Sequence, residues 1–312
     1  MQTSSQEWQV AEASEQGPVR DENQDRMCSV TMPSGRLHIV ADGMGGHKGG
    51  ALAAQLTIDG LRRVLEQAPA GISIPSLLRQ AFEQTNLEVH RMAHSGDAET
   101  DGMGSTAVVL WIREQSGHIA HVGDSRAYLF RDGRLRRMTK DHTTAQKMVE
   151  AGILTPEQAL DHPSASVLER AIGIRPAIEV DLTQIEPIQK GDGMLLCSDG
   201  LSGCVSDGEI EEILKSRLTA TETVKRLVDT AIAKGSKDNI TVQYTQYGQV
   251  PAKSAARVPP WATLAVVGAA LLLGLIYFFF LHPVDQPQQN RETQKPAANI
   301  DGSTVREPKK QD

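Results

Sequence analysis

Apolar and polar positions divide the chain into a segmented stretch up to about residue 245 and one long unbroken apolar run beyond it. The run Leu37 to Ala41 stops abruptly at Asp42 and reads as a buried strand. Ala51 to Gln67 carries Leu52, Leu56, Leu61, Val64 and Leu65 at helical spacing. Pro75 opens a second helix from Ser76 to about His94, with Leu77, Leu78, Phe82, Leu87 and Val89 in its pattern. Ser105 to Ile112, Ile119 to Val122 and Ala127 to Phe130 are β-rich, and Asp132-Gly133 is a hairpin signal. Met194 to Cys197 is a further short buried strand. Helical periodicity returns at Glu209 to Leu218 and Thr221 to Lys234, where Thr221 can cap and Gly235 can terminate. Ile240 to Tyr244 closes the domain as a strand. Strands flank two runs of helices instead of alternating with them, which predicts antiparallel sheets packed together with helices outside. No internal repeat is visible.

Trp261 to Leu281 holds no charge for about twenty residues, the length a helix needs to cross hydrocarbon. Trp261 and Tyr277 suit the two membrane interfaces. The expected organisation is a folded domain at 1–245, a proline-bearing linker at 246–260, a transmembrane helix at 261–281 and a disordered polar tail at 282–312. Lys253 and Arg257 precede the span and the first basic residue after it is Arg291, a bias that places the N-terminal side in the cytoplasm. No signal-peptide pattern occurs at the N-terminus, and Cys28, Cys197 and Cys204 form no metal-ligand pair, which fits reduced thiols in the cytosol.

The 312 residues are 39% hydrophobic and 23% charged, an ordinary globular composition. A net charge of −7 argues against a nucleic-acid binder and suits a cluster of carboxylates that awaits cations.

Candidate chemistry gathers at strand ends. Asp42 ends its apolar run and is followed by Gly43, Gly45, Gly46 and Gly50, which let the backbone approach a ligand closely. Asp25, Asp124, Asp199 and Asp238 also stand beside strands or in glycine turns. One such aspartate usually marks a turn; five in one domain suggest convergence. Two like charges about 4 Å apart repel by roughly 4 kcal/mol at an effective dielectric of about 20, so a cluster needs protons or cations between its members. All-oxygen ligands call for Mg²⁺ or Mn²⁺, and two such ions sharing one aspartate would activate a bridging water. Arg20 would then grip a phosphate through paired hydrogen bonds.

The ordered series R-x-x-N-Q-D at 20–25, D-G-M-G-G-H at 42–47, G-S-T-A-V at 104–108, V-G-D-S-R at 122–126, S-D-G-L at 198–201 and D-N-I-T-V at 238–242 resembles bacterial metal-dependent protein phosphatases of the protein phosphatase 2C (PPM) type. The resemblance implies an α+β fold, a four-layer α/β/β/α sandwich of two antiparallel sheets flanked by helices, with the transmembrane helix following it. It further implies that Asp42 bridges two Mn²⁺ or Mg²⁺ ions, that Gly43 offers its carbonyl, and that Asp199 and Asp238 complete one ion's ligands. Asp25 would hold metal-bound water and Arg20 the substrate phosphate. Asp124 with Asp199 would hold a third, weaker ion described in bacterial members.

Two positions depart from animal members, which carry a proposed general acid where this chain has Met44. A thioether donates no proton, and His47 lies three residues on. Gln24 also stands where some members have an acid. Met138 to Gly173 resembles the family's flap beside the active site, within which Asp141, His142, Asp161 and His162 read as turn and cap residues. Cys197 reads as a small core residue, not a nucleophile. The expectation is a single-pass enzyme of the bacterial inner membrane whose cytoplasmic domain dephosphorylates Ser/Thr phosphoproteins, including a Ser/Thr kinase and its targets. Water at the two-metal site attacks phosphorus directly. The alternatives are a weakly active phosphoprotein-binding or sensor module at the membrane, and a two-metal nuclease, which the acidic balance disfavours.

Overall fold

A computed structural model describes residues 8–46, 48–67, 72–160 and 162–248. His47, Asp161, most of the expected linker, the apolar run 261–281 and the tail lie outside the described residues. Among the described residues no helix is long and apolar enough to cross a membrane.

One antiparallel sheet contains β1 (Trp8–Glu15), β7 (Arg126–Arg131), β8 (Arg134–Arg137), β10 (Gly193–Cys197) and β11 (Ile240–Tyr247), in the order β1-β11-β10-β7-β8. The second contains β2 (Asp25–Met32), β3 (Gly35–Met44), β5 (Ala107–Arg113), β6 (Ser116–Val122) and β9 (Asp181–Ile185) in the order β2-β3-β5-β6-β9, with the short β4 (Gly104–Ser105) on the end of β3.

The central strands read as continuous apolar runs because both of their faces are buried, and period-2 alternation sends neighbours to different layers. In β5, Ala107, Val109 and Trp111 pack into one cluster with helices α1 (Gly49–Glu66) and α2 (Ile74–Ala93), while Val108, Leu110 and Ile112 pack between the sheets. In β10, Met194 and Leu196 enter the inter-sheet layer, and Leu195 and Cys197 face the other helices. Those helices are α5 (Asp199–Ser202), α6 (Asp207–Lys215) and α7 (Ala220–Ala233). Three apolar layers thus separate four layers of secondary structure, and the two antiparallel sheets flanked by helices are as expected. Each buried leucine contributes roughly 1.5–3 kcal/mol to the layering.

The helix ends are set locally. Ser73 caps α2, accepting from the Ser76 amide, with Pro75 in the first turn where no intrahelical N–H is needed. The cap of α7 is Thr219, not Thr221: Thr219 and Glu222 form a reciprocal capping box, which starts the helix at Ala220. Ser206 and Glu209 cap α6 in the same way. Gly235 follows α7 with a φ of +83°, as its stop position requires. Between β8 and β9 lie the flap helices α3 (Thr144–Glu150) and α4 (Pro156–Leu160).

Candidate metal centre

Antiparallel pairing brings the end of β3, the start of β2, the β6–β7 connection, the end of β10 and the start of β11 to one edge of the sandwich. Each delivers one carboxylate. Asp25 and Asp42 are direct cross-strand partners in the β2–β3 register. Asp124 lies between β6 and β7, Asp199 follows β10, and Asp238 precedes β11.

Backbone anchors fix these positions. The Asp42 carbonyl accepts from the Thr106 amide at 2.8 Å and from Ser105 Oγ at 3.0 Å, and its amide donates to Thr106 Oγ1 at 3.0 Å. Thr106 Oγ1 also bonds Ser125 Oγ at 2.7 Å, joining the Asp42 turn to the turn that carries Asp124. Gly43 cannot be replaced: a Cβ there would collide with the Gly50 carbonyl at the start of α1. Asn239, nearly fully buried, accepts from the Gln24 amide at 2.8 Å and donates to the Gln16 and Glu22 carbonyls at 2.8 and 3.0 Å. It therefore holds the Arg20–Asp25 segment against the start of β11.

The electrostatics are those of a site built for cations. Asp25 is 2% exposed; Ser198 Oγ donates to its Oδ2 at 2.7 Å, while Oδ1 has no hydrogen-bond partner among the described residues. Burial, with the charges of Asp199 and Asp238, pushes the Asp25 carboxyl up to about 6. Burial and then the surrounding aspartates raise Asp42 and Asp124 well above the usual carboxylate range. Asp199 is raised by burial and by Asp238, and its buried Oδ1 also has no hydrogen-bond partner among the described residues. Unsatisfied carboxylate oxygens cost free energy in a native fold, and convergent ones fit a cation site. The donor set is all oxygen, so it fits a hard divalent ion.

A pocket of about 550 Å³ opens above the cluster, lined by Asp42, Gly43, Asp124, Asp199 and Asp238, together with Arg20. All seven site positions expected from the sequence are in this region; Asp25 lies beneath, against Asp42. Arg20 is half-exposed and already bonded to Asp238 Oδ2 at 2.7 Å. That bond, with the charges of Asp42 and Asp199, raises its pKa against the pull of burial.

Other members of the site were not singled out from sequence. Ser198 and Asn239 lie inside the S-D-G-L and D-N-I-T-V motifs, and small polar residues next to the acids were the available signal. Arg126, inside V-G-D-S-R, donates from Nε and Nη2 to Asp141 at 2.6–3.2 Å and from Nη1 to the Tyr128 hydroxyl at 3.2 Å. Asp141 is thus the partner of a buried ion pair and not a cap, a correction that ties the flap base to the turn of Asp124.

His142, with His121 and Asp181, forms a group whose ligand atoms lie within 4.8 Å of one another. Its Nδ1 accepts from the Gly123 amide at 3.1 Å, so its proton sits on Nε2, which faces Asp181 Oδ2 at 3.3 Å. His121 Nε2 bonds the Lys140 carbonyl at 2.8 Å. The pair is a neutral clasp that stacks at 4.6 Å, and burial, aided by His121 and Arg170, takes His142 down to about 4. His142 is therefore a buried clasp and not a turn residue. His162 Nδ1 accepts from the Ser164 amide at 3.1 Å, the expected turn role. Cys197 is buried, and burial pushes its thiol up to about 12, which suits the core role expected of it.

Comparison with known proteins gives a consistent result. A family model described as protein phosphatase 2C matches residues 19–241. The serine/threonine phosphatase Stp of Listeria monocytogenes is 36% identical over 232 residues, which are 73% of this chain and 91% of that protein. The crystal structure of the Mycobacterium tuberculosis serine/threonine phosphatase PstP/Ppp superposes with a TM-score of 0.70 at 35% identity, covering 78% of this chain and 100% of that one. A structure of the catalytic domain of PstP in complex with two manganese ions has a TM-score of 0.68 at 34% identity, covering 78% of this chain and 99% of that one.

Proposed function

Because the chain belongs to the protein phosphatase 2C family, we propose that its convergent aspartates are the metal centre at which phosphorylated proteins are hydrolysed. The enzyme is a metal-dependent protein-serine/threonine phosphatase, and its cofactor is Mn²⁺ or Mg²⁺. Asp42, Asp199, Asp238 and the Gly43 carbonyl would hold two core ions, and Asp124 with Asp199 a third, weaker one. The observation that carries this assignment is the pair of buried carboxylate oxygens without hydrogen-bond partners among the described residues, Asp25 Oδ1 and Asp199 Oδ1. Bound ions would neutralise the cluster and supply a water acidic enough to act as nucleophile at neutral pH.

The protein's own groups do the rest. Arg20, at the pocket edge, exchanges its bond to Asp238 for the substrate phosphate and fixes the ester for in-line attack. Asp25, bonded by Ser198 on one oxygen, presents the other to the cluster, where it would accept a hydrogen bond from the attacking water and orient it. Attack is direct, without a phosphoenzyme: the sequence carries no C-x5-R signature, and Cys197 is a buried thiol that burial keeps protonated.

The reading extends to a single-pass protein of the bacterial inner membrane, with residues 1–260 cytoplasmic, that opposes a Ser/Thr kinase. Its support is the uncharged stretch Trp261 to Leu281 and the Lys253 and Arg257 before it. Phosphoproteins are made where ATP is, which suits a cytoplasmic domain. The test is hydrolysis of a phosphothreonine peptide by the full chain with Mn²⁺. Activity should vanish with chelator; chelator-resistant hydrolysis, or faster turnover of DNA or RNA, would contradict the assignment.

A further inference from the structure

The flap-side wall of the catalytic pocket includes Glu169, Ile174 and Arg175. Ile174, Arg175 and Pro176 are exposed, yet the backbone of their loop is held tightly from α2. Asn86, only 1% exposed, accepts from the Gly173 amide at 2.8 Å through Oδ1. Its Nδ2 donates to the carbonyls of Arg175 at 2.9 Å and Pro176 at 3.2 Å. One helical turn on, His90 Nδ1 bonds the Gly173 carbonyl at 2.9 Å. Gly173 has a φ of +88°, and a Cβ there would press into Val89 of α2 at 2.5 Å. Just before it, Ile172 exchanges paired backbone bonds of 3.0 and 2.8 Å with Ser105, next to the Asp42 turn.

Four side-chain bonds on three exposed or bordering residues are more than a connecting loop needs. What they fix is the starting point of the Arg175 side chain. Its guanidinium makes no hydrogen bond or ion pair with any described residue. Arg20, the other cation lining this pocket, is bonded to Asp238. Glu169 does not occupy Arg175 either: Lys147 and Thr144 hold the Glu169 carboxyl low, each at 2.7 Å, with a smaller effect from Arg175. A planar fork on a pre-fixed backbone loses little freedom when it binds a carboxylate in a bidentate manner.

We propose that Arg175 determines substrate specificity by binding a carboxylate that lies close in sequence to the phosphorylated residue, and that Asn86 is the positioning residue that holds it in place. This rests on the pocket being the phosphatase site. The phosphate belongs with Arg20, which is bonded to Asp238 and feels the charges of Asp42 and Asp199; Arg175 lines the same pocket from the flap side, where it would meet the chain flanking the phosphorylated residue. The acidic surroundings otherwise repel such a substrate, and one unpaired guanidinium reverses that locally.

The test compares two phosphothreonine peptides, identical except for glutamate or lysine beside the phosphothreonine. The full chain with Mn²⁺ hydrolyses both, and the readout is the ratio of their kcat/KM values within each variant, so that any general loss of activity cancels. The wild type should favour the glutamate peptide about tenfold, mainly through KM. Arg175→Gln should bring the ratio close to one, Arg175→Lys should keep part of it, and Arg175→Glu should invert it. Asn86→Ala should lower the ratio without inverting it. An unchanged ratio in Arg175→Gln, or a wild type without preference, would overturn the proposal. Hydrolysis of neither peptide by the wild type would overturn the phosphatase reading itself, and this inference with it.

Discussion

Asp25 and Asp42 face each other directly across the β2–β3 ladder. Like charges in that relation destabilise a sheet, and both carboxyls are raised by burial and by their acidic neighbours. The site thus gives up stability in the metal-free protein to create a place for cations. Replacing Asp42 with Asn should raise the unfolding free energy of the metal-free chain near neutral pH, since the raised carboxyl must otherwise ionise in the fold. The same change should cut phosphopeptide hydrolysis by several orders of magnitude, because it removes the ligand proposed to serve both ions. Denaturant unfolding in chelator and steady-state kinetics in Mn²⁺ check the two halves separately.

A pH dependence follows from Asp25. Its folded pKa, about 6, lies above the 3.8 of an unburdened aspartate. Its contribution to stability is therefore fully present below about 3.8 and is lost as pH rises through about 6. In chelator, the stability of Asp25→Asn relative to wild type should increase across that window, by on the order of 2–3 kcal/mol in total. The difference between the two proteins cancels the buried histidines His38 and His142, which titrate in both. A pH-independent difference would mean that the Asp25 carboxyl is not strained in the fold.

The flap base has its own prediction. Arg126 and Asp141 are about a tenth exposed and joined by a two-pronged ion pair, with Tyr128 donating onward to Asp207 at 2.9 Å. Removing one partner strands the other charge in a buried place, so Asp141→Ala should cost about 3–5 kcal/mol of stability. Replacing both partners with apolar residues of similar size should cost much less. Thermal or denaturant unfolding of the single and double variants makes the comparison.

The membrane reading predicts topology. A reporter active only outside the cytosol should be active when fused after Asp312 and silent when fused after residue 245. The reverse pattern would contradict the orientation, and silence in both would mean that Trp261 to Leu281 does not span.

Helices α1, α2, α6 and α7 and the central strands were legible in the sequence, the strands because β3, β5 and β10 are buried on both faces and read as apolar runs; the short α3, α4 and α5, of four to seven residues, carry too few turns to show a period. The strands that went unread, β1, β2 and β9, all lie at sheet edges. There one neighbour is missing and polar residues such as Glu12, Ser29 and Gln184 interrupt the pattern. The site's acids were legible as Asp residues at strand ends, but their supports were not. Ser198, Asn239, Asn86 and Arg126 act through tertiary hydrogen bonds to partners 15 to 223 residues away. No local periodicity encodes such contacts.

The central claim is that this carboxylate cluster binds the catalytic cations, and calorimetric titration of Mn²⁺ into the metal-free full chain tests it most directly. Wild type should bind two ions tightly, with phosphopeptide hydrolysis rising in step with occupancy, and Asp42→Ala should lose both the binding and the activity. Full binding by Asp42→Ala, or hydrolysis by wild type before any ion is bound, would contradict the account.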